Sequence, residues 1–313
     1  MFNLQNTLAP FDEMLSYETL WGLKRGSLKD VAGLFQQHAE LLPSKLLAAL
    51  IAETLVEEVV RDTERLVKEV RAKLIAVQQG FSVCIHRDYQ YPERLRAARY
   101  PLELFYYRGD IGLAATRCVS VVGARKCSPE GLKRAAKLSR GLVESGFTVV
   151  SGLAEGVDTA AMKAAMETEG GRTIGVIGTP INENYPKSNK QLQECVAQEH
   201  LLVSQVPFYH YAHEPFTHKK RYFPERNETM SALSEATIIV EASDTSGSLT
   251  QARACLQQGR KLFILNSCFE NREISWPSTY EKRGAIRIRE LDDILEALGG
   301  DGANASTDVV DQI

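Results

Sequence analysis

Cys118-Val119-Ser120-Val121-Val122-Gly123-Ala124-Arg125-Lys126-Cys127-Ser128-Pro129 is the stretch that decides the fold. A short β-branched run ends at a glycine. A polar loop follows, and Ser128-Pro129 then supplies an N-cap and a first-turn residue. The helical pattern that opens there covers 129–145. Strand, glycine turn and helix make the half-unit of a parallel sheet, and the unit recurs along the chain. Further strands are expected at 147–150, Thr173–Ile177, Leu201–Ser204, 237–241, Lys261–Leu265 and 285–288, with 103–107 at an edge. Helical patterns lie between most of them, at 157–169, 188–198 and 249–258. Runs this apolar, alternating with helices, predict an α/β protein: a Rossmann-like, mostly parallel sheet with helices on both faces.

Before the sheet the character differs. Residues 16–37 carry apolar positions at helical spacing, broken at Gly26, and 43–77 continue the pattern with interleaved charges. This predicts a small helical N-terminal domain over 1–80, then a Rossmann-fold domain over 81–298. The Gly-, Ala-, Asn- and Asp-rich stretch 299–313 reads as a flexible tail.

The chain has 313 residues and a net charge of −3, so any polyanion site has to be a local patch. The six cysteines form no C-x-x-C pair, which argues against a zinc site or a disulfide framework. A cytoplasmic location is expected, since no signal pattern opens the chain and no apolar run is long enough to span a bilayer. His210, His213 and His218 cluster, but no cysteine or second acidic cluster joins them, so no metal and no cofactor is expected.

In doubly wound sheets ligands sit beyond the carboxyl ends of the strands, so the residues after each strand carry the functional reading. The first such loop holds Gly123, Arg125, Lys126 and Ser128. The second is Ser151-Gly152-Leu153-Ala154-Glu155-Gly156-Val157-Asp158. The third has Gly178, then Tyr185-Pro186 and Asn189, and the fourth runs from Glu241 to Ser246-Gly247-Ser248. Any one of these is also an ordinary β-to-α turn. Four at one edge make a glycine-rich, anion-ready rim suited to a phosphate-bearing ligand. A separate signal is His218-Lys219-Lys220-Arg221-Tyr222-Phe223-Pro224-Glu225-Arg226-Asn227, where cations alternate with rings. Charge for phosphates and rings for bases are what a single strand needs, although a charge run is also a common solvated surface. Lys133, Lys137 and Arg140 add a basic stripe to the first helix.

Seven of these segments stand in the order in which the DprA/Smf family carries its motifs. They are Tyr91-Pro92-Glu93-Arg94-Leu95, Phe105-Tyr106-Tyr107-Arg108-Gly109, Gly123-Ala124-Arg125, Ser151 to Asp158, Gly178 with Tyr185-Pro186 and Asn189, Phe223 to Asn227, and Glu241-Ala242 with Ser246-Gly247-Ser248. The chain resembles that family over about 200 residues. The resemblance implies a protein that is not an enzyme, binds single-stranded DNA at this rim, forms a homodimer and helps load a RecA-type recombinase during recombination and natural transformation. By motif match Arg125 would contact a phosphate, and Lys220 and Phe223 the backbone and a base. Arg226 and Asn227 would hold the rim or touch the strand. Asp158, Tyr185 and Glu241 would orient loops.

The chain also departs from the family pattern. Met162 stands where the family has His, Pro180 where it has the second glycine of its third loop, and Glu228 where it has Arg. Ser204-Gln205 and Asn266-Ser267 depart likewise, and no winged-helix-like domain is read after Leu298. Divergent members of such a family can serve as the antitoxin or regulator of a toxin–antitoxin or phage-defence pair, with a cognate toxin as partner. A third reading is a nucleotide sensor or an enzyme similar to the cytokinin-activating phosphoribohydrolases. Those carry a catalytic Glu in a stretch that here reads Thr245 to Arg253 and contains none.

Overall fold

A computed structural model describes residues 9–54, 56–77 and 80–299. All of the expected tail 299–313 but its first residue, and residues 1–8 of the N-terminal region, lie outside them. Four helices come first: α1 (Pro10–Lys24), α2 (Leu28–Gln37), α3 (Pro43–Ala52) and α4 (Glu57–Val77). Then follow β1 (Ser82–Ile85), α5 (Glu93–Arg96), β2 (Leu104–Gly109), β3 (Cys118–Val122), α6 (Pro129–Glu144), β4 (Thr148–Ser151), α7 (Val157–Glu167), β5 (Thr173–Ile177) and α8 (Lys190–Glu199). After these come β6 (Leu201–Ser204), α9 (Phe208–His213), α10 (Phe216–Lys219), α11 (Tyr222–Leu233), β7 (Ala236–Ile239), α12 (Ser248–Gln257) and β8 (Lys261–Leu265). The chain closes with α13 (Asn266–Glu270), α14 (Trp276–Glu281), β9 (Ile286–Ile288) and α15 (Leu291–Ala297).

The nine strands form one sheet in the order β1-β2-β6-β5-β4-β3-β7-β8-β9. From β6 to β9 every pairing is parallel, whereas β2 runs antiparallel to both β6 and β1. The chain winds outward in one direction from β3 to β6, then returns to the other side of β3 with β7. The switch point therefore lies between β3 and β7, where the two following loops part and leave a crevice.

Alternation along β3 shows how the sheet divides the core. Val119 and Val121 face one side and pack with Leu138 and Leu142 of α6, Val157 and Ala161 of α7, and Ile294 of α15. Cys118 and Val122 face the other side, whose core is continuous with Tyr17, Leu20 and Trp21 of α1 and with Val70 and Leu74 of α4. The N-terminal helices and the sheet thus share a core.

Two features differ from the expected layout. β1 was not anticipated, because four residues at a sheet edge carry too little periodicity to register. The segment from Pro207 to Arg221, to which the sequence reading gives no element, folds into α9 and α10, and α11 follows. α11 buries Tyr222, Arg226, Thr229, Met230, Ser231, Ala232 and Leu233, so its polar residues are spread around a helix enclosed on several sides. No apolar stripe marks such a helix in the sequence.

The seam between the N-terminal helices and the sheet encloses carboxyl groups. Burial pushes Glu18 up to about 7 despite three hydrogen bonds that pull the other way. Burial likewise pushes Glu103 up to about 8 and Glu225 up to about 7. A carboxyl with a higher pKa folded than unfolded stabilises the fold while it holds its proton. That contribution is complete below the ordinary value of 4.5 and is lost as pH rises through the raised values. The unfolding temperature is expected to fall from about pH 5 to about pH 8, and Glu103→Gln is expected to flatten the fall. A Glu103→Gln profile parallel to that of the unaltered protein would exclude this role for Glu103.

Candidate nucleic-acid interface

The four loops read from the sequence do meet at the carboxyl edge of β3, β4, β5 and β7. They enclose two neighbouring cavities with α11 as their common wall. One, of about 360 Å³, lies at the switch point and is lined by Gly123, Arg125, Lys126, Asn227, Ser246 and Gly247 among others. The second, of about 210 Å³, lies between the loops after β4 and β5 and is lined by Gly152, Glu155, Gly178 and Tyr185 among others. Arg125, Ala154, Phe223 and Arg226 line both.

The side chains at this rim divide into those that build it and those left facing outward. Glu241 is a builder. Its carboxylate accepts from the Ser128 amide at 2.9 Å and from the Ser128 hydroxyl at 2.6 Å, while the Ser128 hydroxyl accepts from the Gly131 amide at 2.9 Å. The anion position at the start of α6 is therefore filled by Glu241 itself, and Ser128 is committed to that contact. Ser151 is fully buried and donates to the Val121 carbonyl at 2.8 Å. Asn189 donates to the Leu153 carbonyl at 2.9 Å and to the Thr159 hydroxyl at 2.8 Å, tying the third loop to the second. The Ser248 hydroxyl donates to the Gly123 carbonyl at 2.8 Å, tying the fourth loop to the first.

Asp158 and Arg226 form the rigid centre. The Asp158 carboxylate accepts from the amides of Gly152 at 3.1 Å and Ala154 at 3.4 Å, closing the second loop on the start of α7. Burial raises its pKa, and the Arg226 charge and the amides oppose the rise. Arg226, 7% exposed, donates to the Val176 carbonyl at 2.9 Å, and burial lowers its pKa against the pull of Asp158.

The glycines serve these contacts. A Cβ at Gly152 would lie 1.7 Å from an Arg226 nitrogen, and one at Gly178 would lie 2.8 Å from the Phe223 ring. At Gly156, with φ +79°, a Cβ would meet the carbonyl oxygens of Ala124 and Arg125. The sequence reading counts these glycines as part of an anion-ready rim. Here their open side is occupied by neighbouring loops and by α11.

Arg125 and Lys126 remain exposed on the rim, and Lys220 is exposed in the turn between α10 and α11. Phe223 is half-buried and its ring lies 5.2 Å from that of Tyr185. Asn227 donates weakly to the Gly247 carbonyl at 3.4 Å, and the Ser246 hydroxyl and Ser248 amide share a turn. The basic run is split. Lys219 lies over the Tyr211 ring at 4.3 Å, whereas Arg221 turns inward to Glu214 at 2.6 Å and to His210 at 2.8 Å. Sequence reading missed Tyr211 and Glu214, which stand outside every motif but fold the basic run into shape.

A doubly wound sheet with two adjoining crevices at and beside its switch point defines a Rossmann-like α/β protein. The chain belongs to the DNA recombination-mediator protein A family, whose model matches residues 82–299. It is 40% identical over 162 residues to DNA processing protein DprA of Streptococcus pneumoniae, a match that covers 52% of this chain and 55% of that protein. The chain thus spans just over half of that relative's length. The X-ray structure of the S. pneumoniae protein superposes with a TM-score of 0.70 at 28% identity, covering 90% of this chain and 97% of that one. A structure of DNA processing protein A from Helicobacter pylori, described for its single-stranded DNA binding mode, superposes with a TM-score of 0.60 at 28% identity. It covers 71% of this chain and 96% of that one.

Proposed function

We propose that the protein binds single-stranded DNA across the two cavities, without catalysing a reaction, and acts in DNA processing during recombination. The observation that carries this reading is that Arg125 and Phe223 each line both cavities, while Lys126 lines the first. A guanidinium suits a phosphate and a ring suits a base, and alternating the two suits a strand better than a lone nucleotide. Gly123, Gly152, Gly156, Gly178, Ser128, Ser151, Asn189, Ser248, Asp158 and Glu241 support that lining. Arg125, Lys126, Lys219, Lys220, Phe223, Asn227 and Ser246 touch the strand. The two acids lining the cavities are already bound: Asp158 to backbone amides, and Glu155 to the Ser188 hydroxyl at 2.5 Å. This favours a binding protein over a hydrolase. Presenting the strand to a RecA-type recombinase, as a homodimer, is the use that the family's mediator role supports.

The test is binding to a labelled strand of about 20–30 nucleotides, with duplex DNA and RNA as competitors, over a series of salt concentrations. Preference for the single DNA strand is expected. The Arg125→Ala, Lys220→Ala double variant is expected to bind at least tenfold more weakly, with a slope of log affinity against log salt shallower by about 1.4. No binding at low salt would overturn the proposal.

A further inference from the structure

The segment between β6 and β7 carries Lys219, Lys220, Phe223 and Arg226, and the N-terminal helices hold it from both sides. At its start, the Phe208 and Tyr209 amides, the first two of α9, donate to the Glu18 carboxylate of α1 at 2.7 and 2.9 Å. The Tyr106 hydroxyl of β2 is a third donor to the same group. Glu18 is fully buried, so α1 supplies the carboxyl oxygens that cap α9 and β2 fixes that carboxyl group in place. Beside it the Tyr209 hydroxyl donates to Glu69 of α4 at 2.5 Å, and the Trp21 ring lies 5.7 Å from that of His210. At the far end Glu225 accepts from the Leu28 amide, the first of α2, at 3.1 Å. Between these anchors Glu214 joins His210 and Arg221 at 3.2 and 2.6 Å and folds the segment back on itself.

Three of the four N-terminal helices thus bind the segment, and none of the contacts lies at the rim. We infer that the N-terminal helices set the position of the strand-contacting segment, with Glu18 as the positioning residue. The inference rests on the reading of Lys219, Lys220 and Phe223 as strand contacts. Its physical basis is independent: a buried carboxyl group with three donors is a stiff joint, and in Glu18→Gln the side-chain NH2 faces one of the two buried amides and leaves it without an acceptor. Displacement of α1 relative to β2 then carries directly into α9 and, through the fold-back at Glu214, into the lysines.

Glu13 provides a matched control. It lies on the same helix, is similarly buried, and accepts from the Ser44 amide and hydroxyl at 2.9 and 2.7 Å, within the helical region and away from the segment. Glu18→Gln and Glu13→Gln are compared in the full chain by two readouts. The first, without DNA, is the rate of tryptic cleavage after Lys219, Lys220 and Arg221 under native conditions. The second is single-strand affinity and its salt dependence. Glu18→Gln is expected to speed cleavage at those sites at least fivefold, to weaken binding about tenfold and to make the salt dependence shallower, while Glu13→Gln leaves both readouts near those of the unaltered protein.

Equal cleavage in the two variants would overturn the inference. So would faster cleavage in Glu18→Gln with single-strand affinity unchanged. If the unaltered protein binds no strand while Glu18→Gln alone is cleaved faster, the strand-binding reading fails and the positioning of the segment by Glu18 stands.

Discussion

Replacing Arg226 by alanine is expected to cost about 2–5 kcal/mol of stability, because it empties a buried site beside Gly152 and removes the donor to the Val176 carbonyl, while Asp158 loses a nearby opposite charge. Arg226 donates to the Val176 carbonyl and fills the space beside Gly152, and it is as enclosed as the core around it. Its removal opens the wall between the two cavities and strands a carboxylate whose pKa burial already raises. Lysine is not expected to rescue the variant. Its point charge lacks the planar fork that lies flat against Gly152 while reaching a carbonyl. The measurement is urea unfolding of Arg226→Ala, Arg226→Lys, and Arg226→Ala combined with Asp158→Asn. The double variant is expected to recover part of the loss, since it removes the unpaired charge as well. A cost below about 1 kcal/mol in Arg226→Ala would show that the pair does not hold the wall. Gly152→Ala is expected to act in the same direction by driving a methyl group into the guanidinium.

That pair illustrates what the sequence could convey. The alternation of apolar runs with helical patterns made the parallel sheet legible, because each buried strand has to be apolar on both faces. The glycine-rich loops were legible too, since the sheet's topology brings them to one edge. Which side chains face outward was not. Ser128, Ser151, Asn189 and Ser248 are polar residues in the loops, and so is Arg226 at the rim, yet each is committed to a protein partner. Composition cannot distinguish a hydroxyl that builds a loop from one that waits for a ligand. The basic run shows the same limit, since Arg221 turns inward only because Glu214, seven residues earlier, lies where the fold-back brings it. The clasp on α9 was beyond reach for another reason: Glu18 and Phe208 are 190 residues apart and no motif joins them.

Phe223→Ala is expected to weaken single-strand binding about 10- to 100-fold, matching the ~1–3 kcal/mol carried by one base stacked on one ring. The ring is half-buried against Gly178 and lies 5.2 Å from Tyr185, so one edge is anchored while part of it remains open to the cavities. A stacking ring and a phosphate-binding cation leave different signatures. Removing the ring removes contact with a base and releases no additional counterion, so the affinity falls at every salt concentration and the slope is retained. Removing Lys220 is expected to make the slope shallower by about one counterion with a smaller loss at high salt. Phe223→Leu separates stacking from simple filling of space: leucine packs against Gly178 but offers no π face, so it is expected to bind nearly as weakly as alanine while unfolding like the unaltered protein. Should Phe223→Leu bind like the unaltered protein, or should Phe223→Ala change the salt slope, the ring's role is to hold the loop after β5 and not to meet a base. The wall would then recognise phosphate alone.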